Sequence, residues 1–228
     1  MMNTTWAQAP EASDKTLIDV FISGGFVMYF LLILSILVIT FTVENLLKFR
    51  RGKLAPQAVI AMLQDAMNQG NYQQAIEICQ SNPSFLTNIL IAGLQRLGSG
   101  KDAAEAAIAD TALALTAKLK ASMSYLSVIG ATAPMFGLFG TTLGIIGAFD
   151  TLAKAGVADM ASLSEDISVA LVTTAGGLVV AIPAYMLYYV VKNQSSKLLA
   201  AIDLDITILM ENVPYDQLAG YQFAGPQQ

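Results

Sequence analysis

Three long runs of apolar residues dominate the pattern of hydrophobic and polar positions along the chain. They lie at 20–43, 121–149 and 167–191, and none of them contains a charged residue. A helix needs roughly 20 residues to cross a hydrocarbon core of about 30 Å, and each run is long enough. A soluble fold of 228 residues has no core that could bury three such runs. The pattern therefore predicts an all-α membrane protein with three transmembrane helices.

Between the first two runs, the pattern changes to that of short amphipathic helices. Apolar residues recur at helical spacing in 56–69, 72–81 and 84–97, and Gly-Asn, Asn-Pro and Gly-Ser-Gly breaks separate these segments. Neither 101–129 nor 184–213 contains a glycine or a proline. We therefore expect transmembrane helices two and three to extend beyond the membrane into a helical cytoplasmic domain, where they pack against the short helices.

Positive charge is distributed unevenly between the two sides of these spans. Ten of the twelve Lys and Arg residues lie on one side, and only Lys15 and Lys154 lie on the other. Because cytoplasmic loops carry the excess of Lys and Arg, the N-terminus is expected to face outward and the C-terminus inward. The predicted order is an outer segment (1–19), transmembrane helix 1 (20–47), a cytoplasmic helical loop (48–120), transmembrane helix 2 (121–149), an outer loop (150–166), transmembrane helix 3 (167–191) and a cytoplasmic helix and tail (192–228).

Composition narrows the possible functions. Only 13% of the residues are charged, the net charge is −5 and the mean hydropathy is +0.57, which excludes long disorder and disfavours a nucleic-acid partner. Histidine is absent and Cys79 is the single cysteine, so we expect no metal site, no cofactor and no catalytic residue. Cys79 is expected to be a buried apolar residue in a reducing compartment.

Small residues recur at steps of three and four in the second and third spans. Helices in lipid associate through such stripes, because small side chains let the two backbones approach closely. This spacing predicts close packing between spans two and three. The stripe consists of Gly130, Ala133, Gly137, Gly140, Gly144 and Gly147 in the second span, and of Ala170, Thr174, Gly177, Ala181 and Ala184 in the third. The helix-packing candidates are Gly130, Gly140, Gly144, Gly147 and Ala181.

Two prolines lie inside these spans and are predicted to kink them. Pro134 and Pro183 each remove one backbone hydrogen bond, which leaves the carbonyl of Gly130 or Val179 less satisfied. We expect that carbonyl to accept a hydrogen bond from a threonine hydroxyl or from water.

Five threonines supply hydroxyls in the same two spans. Thr141 lies about 40° round the helix from Gly137, and Thr174 belongs to the small stripe, so these two are the candidates for facing a neighbour or a pore. The usual alternative for a membrane threonine is a hydrogen bond back to its own helix. That is the expectation for the other three, Thr132, Thr142 and Thr173.

Two segments carry a resemblance to a known family. The stretch 133–145, APMFGLFGTTLGI, resembles the second-span signature of the ExbB/TolQ/MotA proton-channel family, and 167–184, ISVALVTTAGGLVVAIPA, resembles its third-span signature. Three spans and a long first cytoplasmic loop are similar to ExbB and TolQ rather than to MotA. The resemblance implies a homopentamer in the bacterial inner (cytoplasmic) membrane, with the N-terminus in the periplasm. Pore-lining residues would then be Thr141 and Thr174, with Gly137 and Gly177.

The same resemblance implies partners. An ExbD- or TolR-like protein with one membrane-spanning helix, which carries an aspartate, would sit inside the ring. Proton flow would move this partner relative to the ring and energise a TonB- or TolA-like protein for outer-membrane transport or envelope work.

One departure from the family pattern concerns the acidic residues. Many relatives have a glutamate where this chain has Val169, so the role of that glutamate cannot be transferred. The nearest carboxylates are at the predicted outer rim: Asp150, Glu165 and Asp166. The sequence leaves open an ExbB-like, a TolQ-like or a gliding-motor branch, a non-conducting membrane scaffold, and a solute transporter, which lacks an obvious substrate site. An enzyme is not expected.

Overall fold

The computed structural model describes residues 21–22, 24–155, 160–218 and 220–221. Every element of regular structure in these ranges is helical, as the sequence predicts. The predicted outer segment 1–19 lies outside the described residues. The helices are α1 (Gly25–Lys48), α2 (Arg51–Leu54), α3 (Gln57–Asn68), α4 (Tyr72–Ser81), α5 (Phe85–Leu94), α6 (Lys101–Ala155), α7 (Met160–Met210) and α8 (Tyr215–Leu218), with a 3-10 turn at Leu97–Ser99.

Three of these helices, α1, α6 and α7, are long and apolar enough to cross a membrane. They contain 24, 55 and 51 residues, so α6 and α7 are far longer than the roughly 20 residues that a span requires. The prediction that the second and third spans continue as long helices is confirmed. Each helix is also continuous through its proline, Pro134 in α6 and Pro183 in α7.

At the predicted outer loop 150–166, the helices do not end at the charged residues that bound the apolar runs. Helix α6 passes Asp150 and continues to Ala155, and α7 is already helical from Met160. Lys154 pairs with Asp150 one turn away, and both side chains are exposed. A first charged residue therefore marks where the apolar surface ends, while the helix itself continues because these residues still form backbone hydrogen bonds.

The chain divides into two compact units, and α6 and α7 contribute to both. We call Met1–Ile39 with Ser127–Tyr185 the span unit, and Thr40–Leu126 with Met186–Gln228 the short-helix unit. In the span unit, α1 packs through Val27 and Leu31 against Ala133 and Ala181. The prediction that Ala181 packs between helices agrees with this contact, although its buried partners include residues of the first span.

The short-helix unit has a core of large aliphatic side chains. Leu63, Ile76, Leu90, Leu94 and Leu97 are each fully buried. The breaks between its helices follow the predicted positions, and their residues act as caps. Asn71 accepts a hydrogen bond from the backbone N–H of Gln74 at 3.1 Å, and Ser84 forms a capping box with Thr87.

The C-terminal part of α7 completes this core. An apolar stripe that includes Ile202, Ile206 and Leu209 is buried against the short helices, as the sequence predicts. Beyond it, the backbone N–H of Gly220 donates to the carbonyl of Gly98 at 2.9 Å. A side chain at position 98 would collide with the backbone of Tyr221, so glycine is required where the tail crosses.

Candidate functional site

The glycine stripe of α6 lies against α7 within the span unit, at a contact that we call the seam (130–147 of α6 against 166–185 of α7). A Cβ atom added to Gly137 would lie 2.9 Å from the carbonyl oxygen of Thr173 and 3.1 Å from the Cα of Thr174. One added to Gly140 would lie 2.6 Å from the Cβ of Thr173. These distances leave no room for a side chain, so the predicted close approach of the two spans is present within the single chain.

The partners on α7 are also small. A Cβ on Gly177 would lie 2.7 Å from the carbonyl oxygen of Ala133 and 3.1 Å from the Cα of Gly137. A Cβ on Gly144 would lie 2.8 Å from the Cβ of Ala170, another member of the predicted small stripe. The two backbones are therefore in mutual contact along the centre of the seam.

The seam is looser at its two ends. A Cβ on Gly130 would touch the ring of Tyr185 at 3.0 Å, and a ring can move aside more easily than backbone. At the other end, a Cβ on Gly147 would lie 3.9 Å from the carboxylate of Asp166, which is an ordinary van der Waals distance. The five glycines of the stripe therefore differ in how much they restrict substitution.

A cluster of hydroxyls lies at the centre of the seam, around the carbonyl of Gly137. The hydroxyls of Thr141 and Thr174 form a short hydrogen bond with each other across the two helices. Both hydroxyls also lie within hydrogen-bond distance of the Gly137 carbonyl oxygen, that of Thr141 at 3.1 Å and that of Thr174 at 3.3 Å. Both threonines are half-buried. The two residues chosen from sequence as the candidates for functional hydroxyls are thus brought together.

Threonines 132, 142 and 173 behave as the sequence predicts. Thr132 donates to the carbonyl of Val128 at 2.9 Å, and Thr142 donates to that of Phe139 at 2.7 Å. Thr173 donates to the carbonyl of Ala170 at 2.8 Å and makes a longer contact with that of Gly137. Their hydrogen bonds are mainly those of a membrane threonine that bonds back to its own helix.

Of the two hydrogen-bond donors expected for the carbonyls freed by the prolines, the threonine hydroxyl was wrong and water stays a prediction. Proline chemistry pointed to the carbonyls of Gly130 and Val179, yet the five hydroxyls bond elsewhere, and Gly137 is the shared acceptor. Gly137 lies one turn after Pro134 and lacks a side chain, so its carbonyl can be approached from α7. A backbone acceptor has no signature in the sequence, but a glycine four residues before a threonine on the packed face is a usable signal.

Gly137 and Gly177 are buried between the two helices of one chain. In this geometry they bring the backbones together and thereby position the threonines. A direct contribution of these glycines to a pore stays a prediction.

Three acidic residues lie at the end of the seam next to Gly147. The hydroxyl of Thr151 on α6 donates to the carboxylate of Asp166 on α7 at 3.1 Å, and Asp166 is half-buried. Asp150 pairs with Lys154 and Glu165 is exposed. Among the hydrogen bonds of the described residues, Asp166 is therefore the one of the three that bonds to the opposite helix, a distinction that the sequence did not make.

The comparisons with known proteins agree with the resemblance seen in the two motifs. Residues 81–203 match the model of the MotA/TolQ/ExbB proton channel family. The chain is 30% identical over 209 residues to the biopolymer transport protein ExbB of Neisseria meningitidis, with 86% of this chain and 90% of that protein covered. It is 45% identical over 71 residues to the Tol-Pal system protein TolQ of Pseudomonas aeruginosa, with 31% of each covered.

A further match is shorter. The chain is 40% identical over 84 residues to an ExbB-like biopolymer transport protein of Helicobacter pylori, and the match covers 37% of this chain. It spans 44% of that relative's length.

Proposed function

Because this chain belongs to the MotA/TolQ/ExbB proton channel family, we propose that it is an ExbB-like stator subunit. In this proposal it forms a homopentamer in the bacterial inner membrane and conducts protons together with an ExbD/TolR-like single-span partner. The movement of that partner energises a TonB/TolA-like protein. The N-terminus is periplasmic and the C-terminus is cytoplasmic, as the ten-to-two distribution of Lys and Arg favours.

The observation that carries the proposal is the hydroxyl cluster of Thr141, Thr174 and the Gly137 carbonyl. Polar groups inside a membrane bundle are rare unless they pack helices or serve a pathway. The two hydroxyls each offer one donor and two acceptor positions, so they can orient water or a carboxylate at the seam. Their half-exposure in the single chain supports a position at the edge of a pore.

The spans themselves hold no group whose charge changes near neutral pH. The chain has no histidine, and no Asp or Glu lies within 121–149 or 167–191. A threonine hydroxyl keeps its proton near neutral pH, so it cannot switch charge during a cycle. We therefore assign the switching group to the partner, as an aspartate in its membrane helix that approaches Thr141 and Thr174.

A ring of subunits also accounts for the outer surface of the spans. Large apolar side chains are exposed in the single chain, including Met135, Ile146 and Leu171, each at more than 60%. In a membrane these side chains contact lipid or a neighbouring copy. The small residues of the seam already pack α6 against α7 within one chain. Contacts between copies would therefore involve these larger side chains.

The assignment to ExbB rather than TolQ rests on the extent of the matches. The ExbB of Neisseria meningitidis matches over most of both chains, whereas TolQ of Pseudomonas aeruginosa matches over a short segment at higher identity. A strain that lacks this protein separates the two branches. Two properties are measured in it: growth on a nutrient that needs outer-membrane uptake, and resistance to detergents. An uptake defect without detergent sensitivity supports the ExbB assignment.

The test of conduction uses the protein reconstituted in liposomes with a pH-sensitive dye inside. The protein alone is expected to pass few protons, and addition of the partner is expected to restore the flux. Exchanging the partner's membrane aspartate for asparagine should abolish it again. Substantial flux through the protein alone would contradict the proposal and would direct attention to Asp166. Absence of flux in all mixtures would favour a non-conducting scaffold.

The hydroxyl cluster is tested by Thr141→Val and Thr174→Val. Each change keeps the shape and removes the hydroxyl, so the oligomer should survive while partner-dependent flux falls at least tenfold, the factor that about 1.4 kcal/mol represents. Thr132→Val is the matched control, because in the described part of the chain its hydroxyl bonds to carbonyls of α6 alone, and its loss should change flux less than twofold. Equal losses at all three positions would mean that the threonines serve folding in general.

A further inference from the structure

A pocket inside the short-helix unit has no part in the proposed conduction. It lies between α6 and α7, has a volume of about 180 Å³ and opens toward the surface. Lys120 and Ser124 line it from α6, and Tyr188, Lys192 and Ser196 line it from α7. On each helix these residues are four positions apart, so one face of α6 and one face of α7 each present an ammonium group and a hydroxyl to the same pocket.

The floor of the pocket is formed by buried residues. Met123 is 4% exposed and Ser195 is 1% exposed. The hydroxyl of Ser195 contacts the sulfur of Met123 at 3.3 Å and donates to the carbonyl of Lys192 at 2.8 Å. Packing thus holds the two helices in a fixed register below the lysines, and the pocket does not depend on flexible loops.

The charge in the pocket is uncompensated. No Asp or Glu lines it, and in the described part of the chain neither Lys120 nor Lys192 forms an ion pair. Lys192 lies over the rings of Tyr188 and Tyr189, with its Nζ 5.7 Å and 5.9 Å from the ring centroids. These rings guide the ammonium group without neutralising it.

The sequence places both lysines at the same boundary of the membrane. Lys120 is the last charged residue before the run 121–149, and Lys192 is the first after the run 167–191. Because α6 and α7 contact each other here, the two ammonium groups lie where an apolar surface meets water, which is the depth of lipid phosphates. Tyrosine is enriched at this depth, as Tyr188 and Tyr189 illustrate.

From these observations, we propose that the pocket binds the phosphate group of an anionic phospholipid. Lys120 and Lys192 hold the phosphate from two sides, Ser124 and Ser196 offer hydroxyls to its oxygens, and the acyl chains continue along the apolar faces of the two helices. Basic pockets between membrane helices are suited to such headgroups. The proposal requires only that the protein is in a membrane, and it holds whether or not the ring conducts protons.

The test is a lipid titration of the purified oligomer in neutral detergent. Native mass spectrometry counts the phosphatidylglycerol molecules bound to each subunit as the lipid concentration is raised. The double variant Lys120→Gln/Lys192→Gln should bind about 25- to 100-fold more weakly, because each lysine near anionic lipid contributes a factor of about five to ten and the two factors multiply. Both lysines are exposed, so the variant should keep its oligomer mass, which the same spectrum reports.

A matched control separates the pocket from the general positive field. Lys118→Gln/Lys197→Gln removes the same charge from two exposed lysines that do not line the pocket, and lipid binding should change less than twofold. An equal loss in both double variants would overturn the proposal, because only the net charge of this side would then matter.

Two competing ligands distinguish the sources of a phosphate. Phosphatidylcholine should bind at least tenfold more weakly than phosphatidylglycerol, and inorganic phosphate at the same concentration should not displace the lipid. Equal binding of phosphatidylcholine would show that acyl chains rather than charge are recognised. Displacement by inorganic phosphate would identify a site for free phosphate. Either result would overturn the lipid assignment.

Discussion

The span unit and the short-helix unit pack their interiors with opposite kinds of residue. At the seam, Gly137 and Gly177 bring two backbones into contact, whereas Leu63 and Leu90 fill the core of the short-helix unit. Water drives large apolar side chains together in the second case. Lipid offers helices no such drive, so close backbone contact and hydrogen bonds take its place. The same chain therefore follows two packing rules, and each rule predicts a different sensitivity to mutation.

The largest effect is expected when volume is added at the centre of the seam. In Gly137→Leu the new side chain would meet the backbone of Thr173 and Thr174, which cannot move without displacing α7. The loss in folding free energy should exceed the roughly 1–3 kcal/mol of ordinary overpacking. The peak of the native oligomer should therefore disappear from size-exclusion chromatography in detergent.

The control for this change lies on the same stripe. Gly147→Ala adds a methyl group at an ordinary contact distance, and α-helices favour alanine over glycine, so the oligomer should remain. If Gly137→Leu ran at the native mass, the backbone contact described here would not govern packing of the spans.

The second effect comes from removing volume in the short-helix unit. Leu90 is fully buried, so Leu90→Ala leaves a cavity and should lower the free energy of unfolding by about 2–5 kcal/mol. Limited proteolysis of the loops between α3, α4 and α5, followed over a temperature series, measures the loss.

Met62 supplies the comparison for Leu90. It is on α3 and 53% exposed. In the same proteolysis series, Met62→Ala should hardly change the temperature at which the loops become cleavable. A similar shift for both variants would mean that the short-helix unit lacks the tightly packed core described above.

The smallest effect concerns the thiol of Cys79 in the same core. Burial raises the pKa of this thiol from 9.0 to about 12, so at pH 8 the native protein holds roughly 1,000-fold less thiolate than a free cysteine does. Alkylation by iodoacetamide should therefore be very slow until the unit unfolds. Fast labelling of the native protein at pH 8 would contradict this burial.

The sign of the accompanying pH effect follows from the same shift. The unfolded chain ionises Cys79 near its ordinary pKa, while the folded chain holds the proton until about pH 12. The stabilising contribution is therefore complete below pH 9 and is lost as the pH rises from 9 toward 12. In Cys79→Ala this part of the decline should be absent from a pH series of unfolding curves.

Much of the fold could be predicted because its determinants are local. Apolar runs longer than a membrane crossing identify α1, α6 and α7, and the breaks at 70–71, 82–83 and 98–100 separate the shorter helices. Threonine back-bonding is also local, because the acceptor lies three or four residues earlier on the same helix. The sequence therefore predicted back-bonding of Thr132, Thr142 and Thr173, although it did not predict that Thr141 also contacts a carbonyl of its own helix, that of Gly137.

Features that depend on the meeting of two helices could not be predicted in this way. Gly137 and Gly147 look equivalent in the small-residue stripe. Only the way in which the two helices cross determines that Gly137 lies against backbone and Gly147 does not. The positive-inside rule used Lys120 and Lys192 only as counted charges. Their common pocket needs the register of α6 against α7, which no spacing along one helix specifies.

The hydroxyl cluster at Gly137 has a consequence for how the spans respond to charge. Three contacts join Thr141, Thr174 and the Gly137 carbonyl, but two hydroxyls carry only two protons. When the two hydroxyls bond to each other, either Thr141 donates to Thr174 and Thr174 to the carbonyl, or Thr174 donates to Thr141 and Thr141 to the carbonyl. The two arrangements share the same heavy-atom positions, but the O–H bond between the two threonines points in opposite directions. A charge that arrives beside the seam can therefore reverse the direction of this O–H bond by the rotation of two hydroxyl groups, while both helices stay where they are.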